Sequence, residues 1–298
     1  MPQSENSNAR GIVLMVLSMA CFALADTLVK MNSQIISAAQ VLFFLTAGGL
    51  VTFLAMAIIQ GDSMRNVSAL KPIMIARYAS EIVGTVAMVS ALSLVDLSIV
   101  GAITQATPIL VAMGAVLFLG EKVSWRRWTS IGLGFLGVVL VIQPGSEGFD
   151  PAVLWAVLAM LALSFRDLST RMTPADLPSS CLATYTMIAT IPFATGWVLW
   201  RGESLFPANA DWLSILFMIA LGSAGYLLLI ASIRMAEVSV VTPFRYSRII
   251  FLLLLGVFVF GENPSTTVFL GAALIIGSGT YMVLRERQLK KRAARTAA

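Results

Sequence analysis

The chain has 298 residues, of which 58% are hydrophobic and 12% are charged, and its mean hydropathy is +0.88. Soluble domains contain about 25% charged residues, so this composition predicts a protein that lipid solvates over most of its surface. The chain contains no histidine, which excludes imidazole metal sites, histidine general bases and Ser-His triads. The net charge is +5, and most of the basic residues lie at the ends of apolar runs and in the tail "RERQLKKRAAR". That distribution is typical of the cytosolic side of membrane proteins and argues against nucleic-acid binding.

Ten apolar runs are predicted to be transmembrane helices, because about 20 apolar residues can cross the hydrocarbon core as a helix. In chain order they cover residues 11–31, 38–60, 71–93, 97–119, 126–143, 152–171, 180–200, 211–233, 238–260 and 266–284. The connections are short, so the predicted fold class is an all-α polytopic membrane protein. Cys21 and Cys181 lie inside apolar runs and are predicted to be small buried hydrophobic residues.

Residues 141 positions apart indicate an internal duplication. Glu121 matches Glu262, and Asp26 matches Asp167. Further pairs with this offset are Met19 and Met160, Lys30 and Arg171, Gly61 and Gly202, Asp62 and Glu203, Gly84 and Gly225, and Gly120 and Gly261. One constant offset from the first span to the fifth predicts two five-helix repeats.

The first span also resembles a secretory signal, because Arg10 precedes it and "ALA" comes just before Asp26. Its counterpart in the sixth span, around "LSFRD" (163–167), has no such feature. The first span is therefore expected to remain in the mature fold.

Two repeats of five spans must cross the membrane in opposite directions, because five is an odd number. Lysine and arginine mark the cytosolic side of short loops. This explains why "FLGEKVSWRRW" (118–128) is basic, whereas its counterpart "FVFGENPSTTVF" (258–269) has no basic residue. With a cytosolic N-terminus, the outer side keeps only Lys30 and Arg201 among the basic residues between spans. Both termini are predicted to be cytosolic.

The predicted organisation is a first repeat at 1–143, with residues 1–10 as a cytosolic N-terminus, a second, inverted repeat at 144–284, and a basic cytosolic tail at 285–298. Inverted repeats are characteristic of transporters that open a midplane site to either side in turn. The chain contains no DDxxD, HExxH or GxxxxGK[ST] motif, so an enzyme is not expected. A channel and a membrane-embedded lipid enzyme remain the less favoured alternatives.

Two blocks of the sequence resemble a known family. The block "ALSLVDLSIVGAITQATPILVAMGAVLFLGE" (91–121) is similar to the EamA-type signature of the drug/metabolite transporter superfamily. The closing half, which ends in "SGTYMVLRERQ" (278–288), resembles the drug/metabolite exporter branch. One departure is that the signature proline, Pro108, corresponds to Ile249 in the second repeat, where Pro243 lies earlier.

The resemblance implies ten helices around a central cavity that is lined mainly by spans 1, 3, 4, 6, 8 and 9. It also implies a multi-pass protein of the bacterial inner membrane that exports small metabolites. Aromatic and other neutral amino acids are the expected cargo, with drugs and nucleotide sugars as alternatives. The expected partners are the small-molecule substrate and the lipid bilayer; no cofactor or metal is implied, and a monomer is expected.

A polar turn shared by spans 4 and 9 is the best candidate for the cavity lining, because polar residues inside spans are costly and usually face a cavity or a partner. In span 4 it consists of Thr104, Gln105 and Thr107, and the offset of 141 leads to Arg245, Tyr246 and Arg248 in span 9. The two arginines are three positions apart on one helical face. They are predicted to bind a carboxylate, with snorkelling to the cytosolic interface as the alternative.

Three acid–base pairs are candidates for gates or proton-sensitive groups, with helix-end ion pairs as the alternative. Each pair is spaced by four residues, one turn of a helix; the pairs are Asp26 with Lys30, Arg77 with Glu81, and Asp167 with Arg171. Three aromatic residues lie on spans that the family resemblance assigns to the cavity: Tyr78, Trp155 and Tyr226. These could stack on an aromatic substrate or anchor the helices at the lipid interface.

Overall fold

A computed structural model describes residues 5–64, 67–119, 125–145, 149–173, 177–236 and 238–297, and the helices in these ranges account for all the regular secondary structure found there. The helices are α1 (Glu5–Asn32), α2 (Ala38–Gln60), α3 (Pro72–Leu94), α4 (Leu97–Thr104), α5 (Thr107–Leu119), α6 (Trp125–Ile142), α7 (Val153–Arg171), α8 (Ser179–Trp200), α9 (Trp212–Met235), α10 (Val238–Val241), α11 (Ser247–Phe260) and α12 (Thr266–Ala297). Two short 3₁₀ helices cover Val67–Leu70 and Thr242–Tyr246. The all-helical prediction is confirmed.

Within the described ranges, nine helices or helix pairs are long and apolar enough to cross a membrane. They match nine of the ten predicted spans, with boundaries that agree within a few residues. The remaining predicted span, 126–143, coincides with a shorter apolar helix at Trp128–Ile142. The chain is thus a multi-pass membrane protein. The number ten and the inverted arrangement stay predictions at this point.

The structure divides into two compact units, which do not follow the two halves of the sequence. The first unit consists of Met1–Thr27, Asp96–Asp150 and Ala224–Ala298, and the second of Leu28–Val95 and Pro151–Ser223. Helices α1 and α9 each contribute one part to either unit.

In the second unit, α2 and α8 run antiparallel, because the end of each helix contacts the start of the other. Asp62, which follows α2, accepts a hydrogen bond from the hydroxyl of Ser180 in the first turn of α8. At the opposite end, Glu203 accepts one from Ser37, the N-cap of α2. Burial raises the pKa of Glu203, but the hydrogen bonds from Ser37 and Arg201 and the charge of Arg201 outweigh it and hold the pKa below its usual value.

The two contacts between α2 and α8 follow the same local geometry. Gly61 and Gly202 both have φ of +69°, a conformation that glycine adopts without steric cost. Each glycine lies just beyond the last residues of its helix and is followed directly by the acid that reaches the other helix. Gly61 and Gly202 are 141 positions apart, as are Asp62 and Glu203.

In the first unit, α6 and α12 pack through glycines. A Cβ atom on Gly137 would lie 2.7 Å from the carbonyl oxygen of Gly271, and one on Gly271 would lie 2.5 Å from the carbonyl oxygen of Gly137. The two backbones can approach this closely only because both residues lack a side chain. Gln143 at the end of α6 bonds to Thr267 at the start of α12, so this pair is also antiparallel.

Two further glycine contacts involve residues that the offset of 141 relates. A Cβ atom on Gly225 of α9 would lie 3.0 Å from the ring of Phe22 on α1, within the first unit. In the second unit, a Cβ atom on Gly84 of α3 would lie 2.7 Å from the side chain of Leu163 on α7. Gly84 corresponds to Gly225 and Leu163 to Phe22, so the two units contain the same helix contact.

Candidate functional site

Spans 4 and 9, both in the first unit, are interrupted where the predicted polar turn lies. Helix α4 ends at Thr104 and α5 begins at Thr107, which leaves Gln105 and Ala106 outside both helices. Span 9 begins with the short helix α10, continues as a 3₁₀ helix that ends at Tyr246, and passes into α11 at the next residue. The two interruptions are 141 positions apart. Non-helical backbone at membrane depth is tolerated where it is buried in protein or lines a cavity, and broken helices in transporters surround the substrate.

The interruptions contact each other directly. The side-chain amide of Gln105 donates a hydrogen bond of 2.9 Å to the backbone carbonyl of Arg245. The hydroxyl of Thr107 donates one of 2.6 Å to the carbonyl of Thr104. These bonds satisfy backbone carbonyls that the interruptions release from their helices. The two polar turns therefore lie next to each other in the structure.

Arg248, at the start of α11, forms an ion pair with Asp26 of α1. The distance from Nη2 of Arg248 to Oδ2 of Asp26 is 2.5 Å. The guanidinium carbon also lies 5.4 Å from the ring centroid of Phe22, one turn before Asp26, within the range of a cation–π interaction. These two contacts hold the guanidinium of Arg248 against α1, because charge-assisted hydrogen bonds are stronger than hydrogen bonds between neutral groups.

The other residues of the predicted turn lie in different surroundings. Tyr246 is 3% exposed and packs against Gly279 of α12, where even a Cβ atom would clash with its hydroxyl. Arg245 is exposed, and Tyr226 on α9 is half-buried. In the polar turn, Gln105, the backbone of Arg245 and the side chain of Arg248 thus link their helices to another element through polar contacts.

The second unit contains a separate charged cluster on α3 and α7. Arg166 binds both carboxylate oxygens of Glu81 at 3.1 Å through one nitrogen and reaches Asp167 at 2.8 Å with another. Arg77 donates to the hydroxyls of Thr170 at 2.8 Å and Thr186 at 2.7 Å. All three helices of this cluster, α3, α7 and α8, are joined by these bonds.

The acids thus have partners besides the bases one turn away on the same helix. Asp26 pairs with Arg248, Asp167 and Glu81 pair with Arg166, and the Lys30 ammonium group donates to the carbonyl of Val95 at 2.5 Å. For Asp26, the packing of the chain supplies the planar guanidinium of Arg248 in place of the lysine ammonium one turn away, and a guanidinium matches the geometry of a carboxylate better than an ammonium group does. Arg171 lies in the last turn of α7.

Arg166 and Phe22 did not enter the predicted site. Arg166 lies in the quoted segment "LSFRD", and a charged residue inside an apolar span is itself a signal for a functional or structural partner. Phe22 gave no such signal, since an apolar residue in a span is expected.

Of the predicted aromatic residues, Tyr78 packs beside Met74 and Cys181 in the second unit, and Trp155 is exposed on α7. The predicted basic loop at Gly120, Glu121 and Lys122 lies outside the described residues.

Comparison with known proteins gives a family match over almost the whole chain. The model of the EamA-like transporter family matches residues 9–143 and matches again at residues 150–285. A solved crystal structure of another protein aligns with 94% of this chain and 98% of its own, at 20% identity and a TM-score of 0.61. That likeness concerns the fold alone.

Similar proteins carry different solutes. The chain is 28% identical over 204 residues to an S-adenosylmethionine uptake transporter of Rickettsia bellii, which covers 66% of this chain and 67% of the relative. It is 28% identical over 212 residues to a riboflavin transporter of Rhizobium johnstonii, covering 71% and 70%. Identity to the pseudopaline exporter CntI of Pseudomonas aeruginosa is 23% over 275 residues, covering 89% and 93%.

Proposed function

Because this chain belongs to the EamA-like transporter family, we propose that it exports amino acids or similar small metabolites across the bacterial inner membrane by alternating access. It is a membrane transporter, not an enzyme, and small-molecule transport is common to the similar proteins named above. The observation that carries the proposal is the pair of interrupted spans. They contact each other through Gln105, and one of them holds Arg248 inside the membrane-spanning part of the chain.

The inverted repeat that alternating access requires is supported by helices that correspond under the offset of 141. Helices α2 and α8 correspond and run antiparallel, as do α6 and α12. Helices α4 and α11 also belong to corresponding spans. The end of α11 lies at the start of α4, because Glu262, just beyond α11, accepts a hydrogen bond from the N–H of Leu97. Equivalent helices of two repeats inserted in opposite directions are expected to run antiparallel.

The proposed topology places both termini in the cytosol. A reporter that is active only in the cytosol should give a signal when fused at Ala298 and none when fused after Gly145, because five spans separate the two positions. The basic tail holds the C-terminus inside. Equal signals from the two fusions would contradict the inverted repeat.

The cargo is proposed from the charge at the site. Amino acids carry a carboxylate, and an arginine in a partly desolvated site binds a carboxylate by charge-assisted hydrogen bonds. The second candidate is uptake of a solute like those in the names of the relatives, S-adenosylmethionine or riboflavin. Riboflavin has no carboxylate, so its transport would distinguish recognition that does not need a carboxylate from recognition through one.

Transport is tested by counterflow in proteoliposomes. Vesicles loaded with unlabelled solute are diluted into labelled L-phenylalanine, S-adenosylmethionine or riboflavin, with protein-free vesicles as the control. A carrier should accumulate the label transiently and with saturation, because solute on the opposite side speeds the return of the site. Ion currents at channel rates, or lipid turnover without solute exchange, would favour the alternative classes. Repeating the assay with inside-out cell membrane vesicles, which take up exported solutes, tests the proposed direction.

A further inference from the structure

The ion pair between Arg248 and Asp26 does not use all the donors of the arginine. A guanidinium has five N–H donors, and the bond to Asp26 uses one of its terminal nitrogens. The Nε atom of Arg248 is buried and has no hydrogen-bond partner among the described residues. A buried donor without a partner costs free energy, so this guanidinium can gain from a second acceptor.

The arginine is the more exposed member of the pair. The side chain of Arg248 is 25% exposed, whereas that of Asp26 is 12% exposed. At 1.5 Å per residue, Arg248 lies roughly 9 Å from the start of its span at Thr242 and roughly 18 Å from the end at Phe260, and Asp26 lies roughly 9 Å from the end of its span at Asn32. The guanidinium is therefore inside a span, not at its end, and a solute can reach it more readily than it can reach the aspartate.

We propose that Asp26 is an internal competitor of the substrate: its carboxylate occupies Arg248 until a carboxylate of the solute replaces it. The inference rests on the proposed function and adds the substrate class, a monocarboxylate such as an amino acid. The Phe22 ring beside the guanidinium provides an apolar surface next to that carboxylate. Asp26 thereby sets the affinity of the site, because a solute binds only the fraction of protein in which Arg248 is released.

The test replaces the charge and keeps the shape. In Asp26→Asn the side chain has the same size but no negative charge, so Arg248 is available to the solute. If Asp26 occupies the arginine in about nine molecules of ten, the KM for L-phenylalanine should fall about tenfold, because apparent affinity scales with the competent fraction. The maximal exchange rate should change much less. Asp26→Glu, which keeps the charge, should not lower KM, and Asp26→Ser provides a second neutral variant.

Asp167→Asn is the matched control. Asp167 is the equivalent aspartate of the second repeat, but its partner is the adjacent Arg166, so its neutralisation should not lower KM. L-phenylalanine amide, added as a competitor, should inhibit wild type less than L-phenylalanine does. Each variant is first checked for normal insertion and for a single size-exclusion peak in detergent.

The outcomes separate the inference from the proposed function. A lower KM in both neutral variants supports Asp26 as a competitor. If Asp26 only positions Arg248, both variants have a higher KM, which overturns the inference while transport stands. Exchange of riboflavin alone by wild type, or equal inhibition by phenylalanine and its amide, overturns the inference as well. Absence of exchange with all three solutes in wild type overturns the proposed amino-acid transport itself.

Discussion

Replacing Arg248 by alanine is expected to lower the counterflow kcat/KM for L-phenylalanine at least about thirtyfold. Truncating one partner of a buried, hydrogen-bonded charge pair costs about 2 to 5 kcal/mol, and here the solute loses its proposed partner while Asp26 is left alone. The initial rates of counterflow at several solute concentrations measure the effect. Arg245→Ala should have a smaller effect, because Arg245 is exposed and its contact with Gln105 is made by its backbone.

Arg234→Ala is the control for Arg248→Ala. Arg234 is an exposed arginine at the end of α9, so its replacement should leave transport close to wild type. Melting temperature in detergent separates lost binding from lost stability. The double variant Asp26→Asn, Arg248→Gln should recover stability, since no single charge is then left buried, but it should not recover transport. Normal transport by Arg248→Ala would show that the arginine does not bind the solute.

Glu262→Ala is expected to lower the melting temperature of the purified protein by about 5 °C, the shift that about 2 to 3 kcal/mol gives in a chain of this size. The Glu262 carboxylate accepts hydrogen bonds from the backbone N–H groups of Leu97 at 2.6 Å and Ser98 at 3.0 Å. It accepts a third from the hydroxyl of Ser98 at 2.6 Å. The first N–H groups of a helix have no partner within it, and a negative charge there also favours the helix dipole.

The geometry of the preceding turn explains why the residue is a glutamate after a glycine. Gly261 ends α11 with φ of +66°, and the N–H of Glu262 bonds to the carbonyl of Gly256 at 3.0 Å, an arrangement typical of a Schellman motif. A Cβ atom on Gly256 would collide with the Glu262 carboxylate. The turn therefore directs the carboxylate onto the start of α4.

Asn263→Ala controls for the loop itself, because Asn263 is adjacent and exposed. It should leave the melting temperature almost unchanged, and Glu262→Gln should give an intermediate value, since glutamine keeps one acceptor oxygen. Equal melting temperatures for Glu262→Ala and Asn263→Ala would mean that the cap contributes nothing to stability.

The spans could be predicted from the sequence because hydropathy over about 20 residues is a local property that lipid imposes directly. The interruptions near Gln105 and Tyr246 were not predicted, because spans 97–119 and 238–260 are apolar over most of their length. The polar residues and the neighbouring Pro108 and Pro243 are the local features that disfavour a continuous helix there. Local spacing does not indicate the partners that distant parts of the chain supply to these charges. Asp26 has a lysine one turn away, yet its partner is Arg248, 222 positions along the chain. Only the packing of α1 against α11 decides that choice.

The role of Glu262 was hidden for the same reason. In the sequence it is a charge beside a glycine at a span end, and the repeat explained only why its loop lacks basic residues. The helix that it caps begins at Leu97, in the other half of the chain. No local pattern connects the two, because the cap exists only after α4 and α11 have packed.

The double connection between α2 and α8 has a mechanical consequence. Asp62 with Ser180 closes one end of this antiparallel pair, together with the hydroxyl of Tyr185 on the carbonyl of Met64. Glu203 with Ser37 closes the other. Two helices that are hydrogen-bonded at both ends can neither slide nor separate without breaking a bond at one end. Helices α2 and α8 are therefore expected to move as one rigid body. Any bending in this part of the molecule must then occur in the segments that connect this pair to its neighbours.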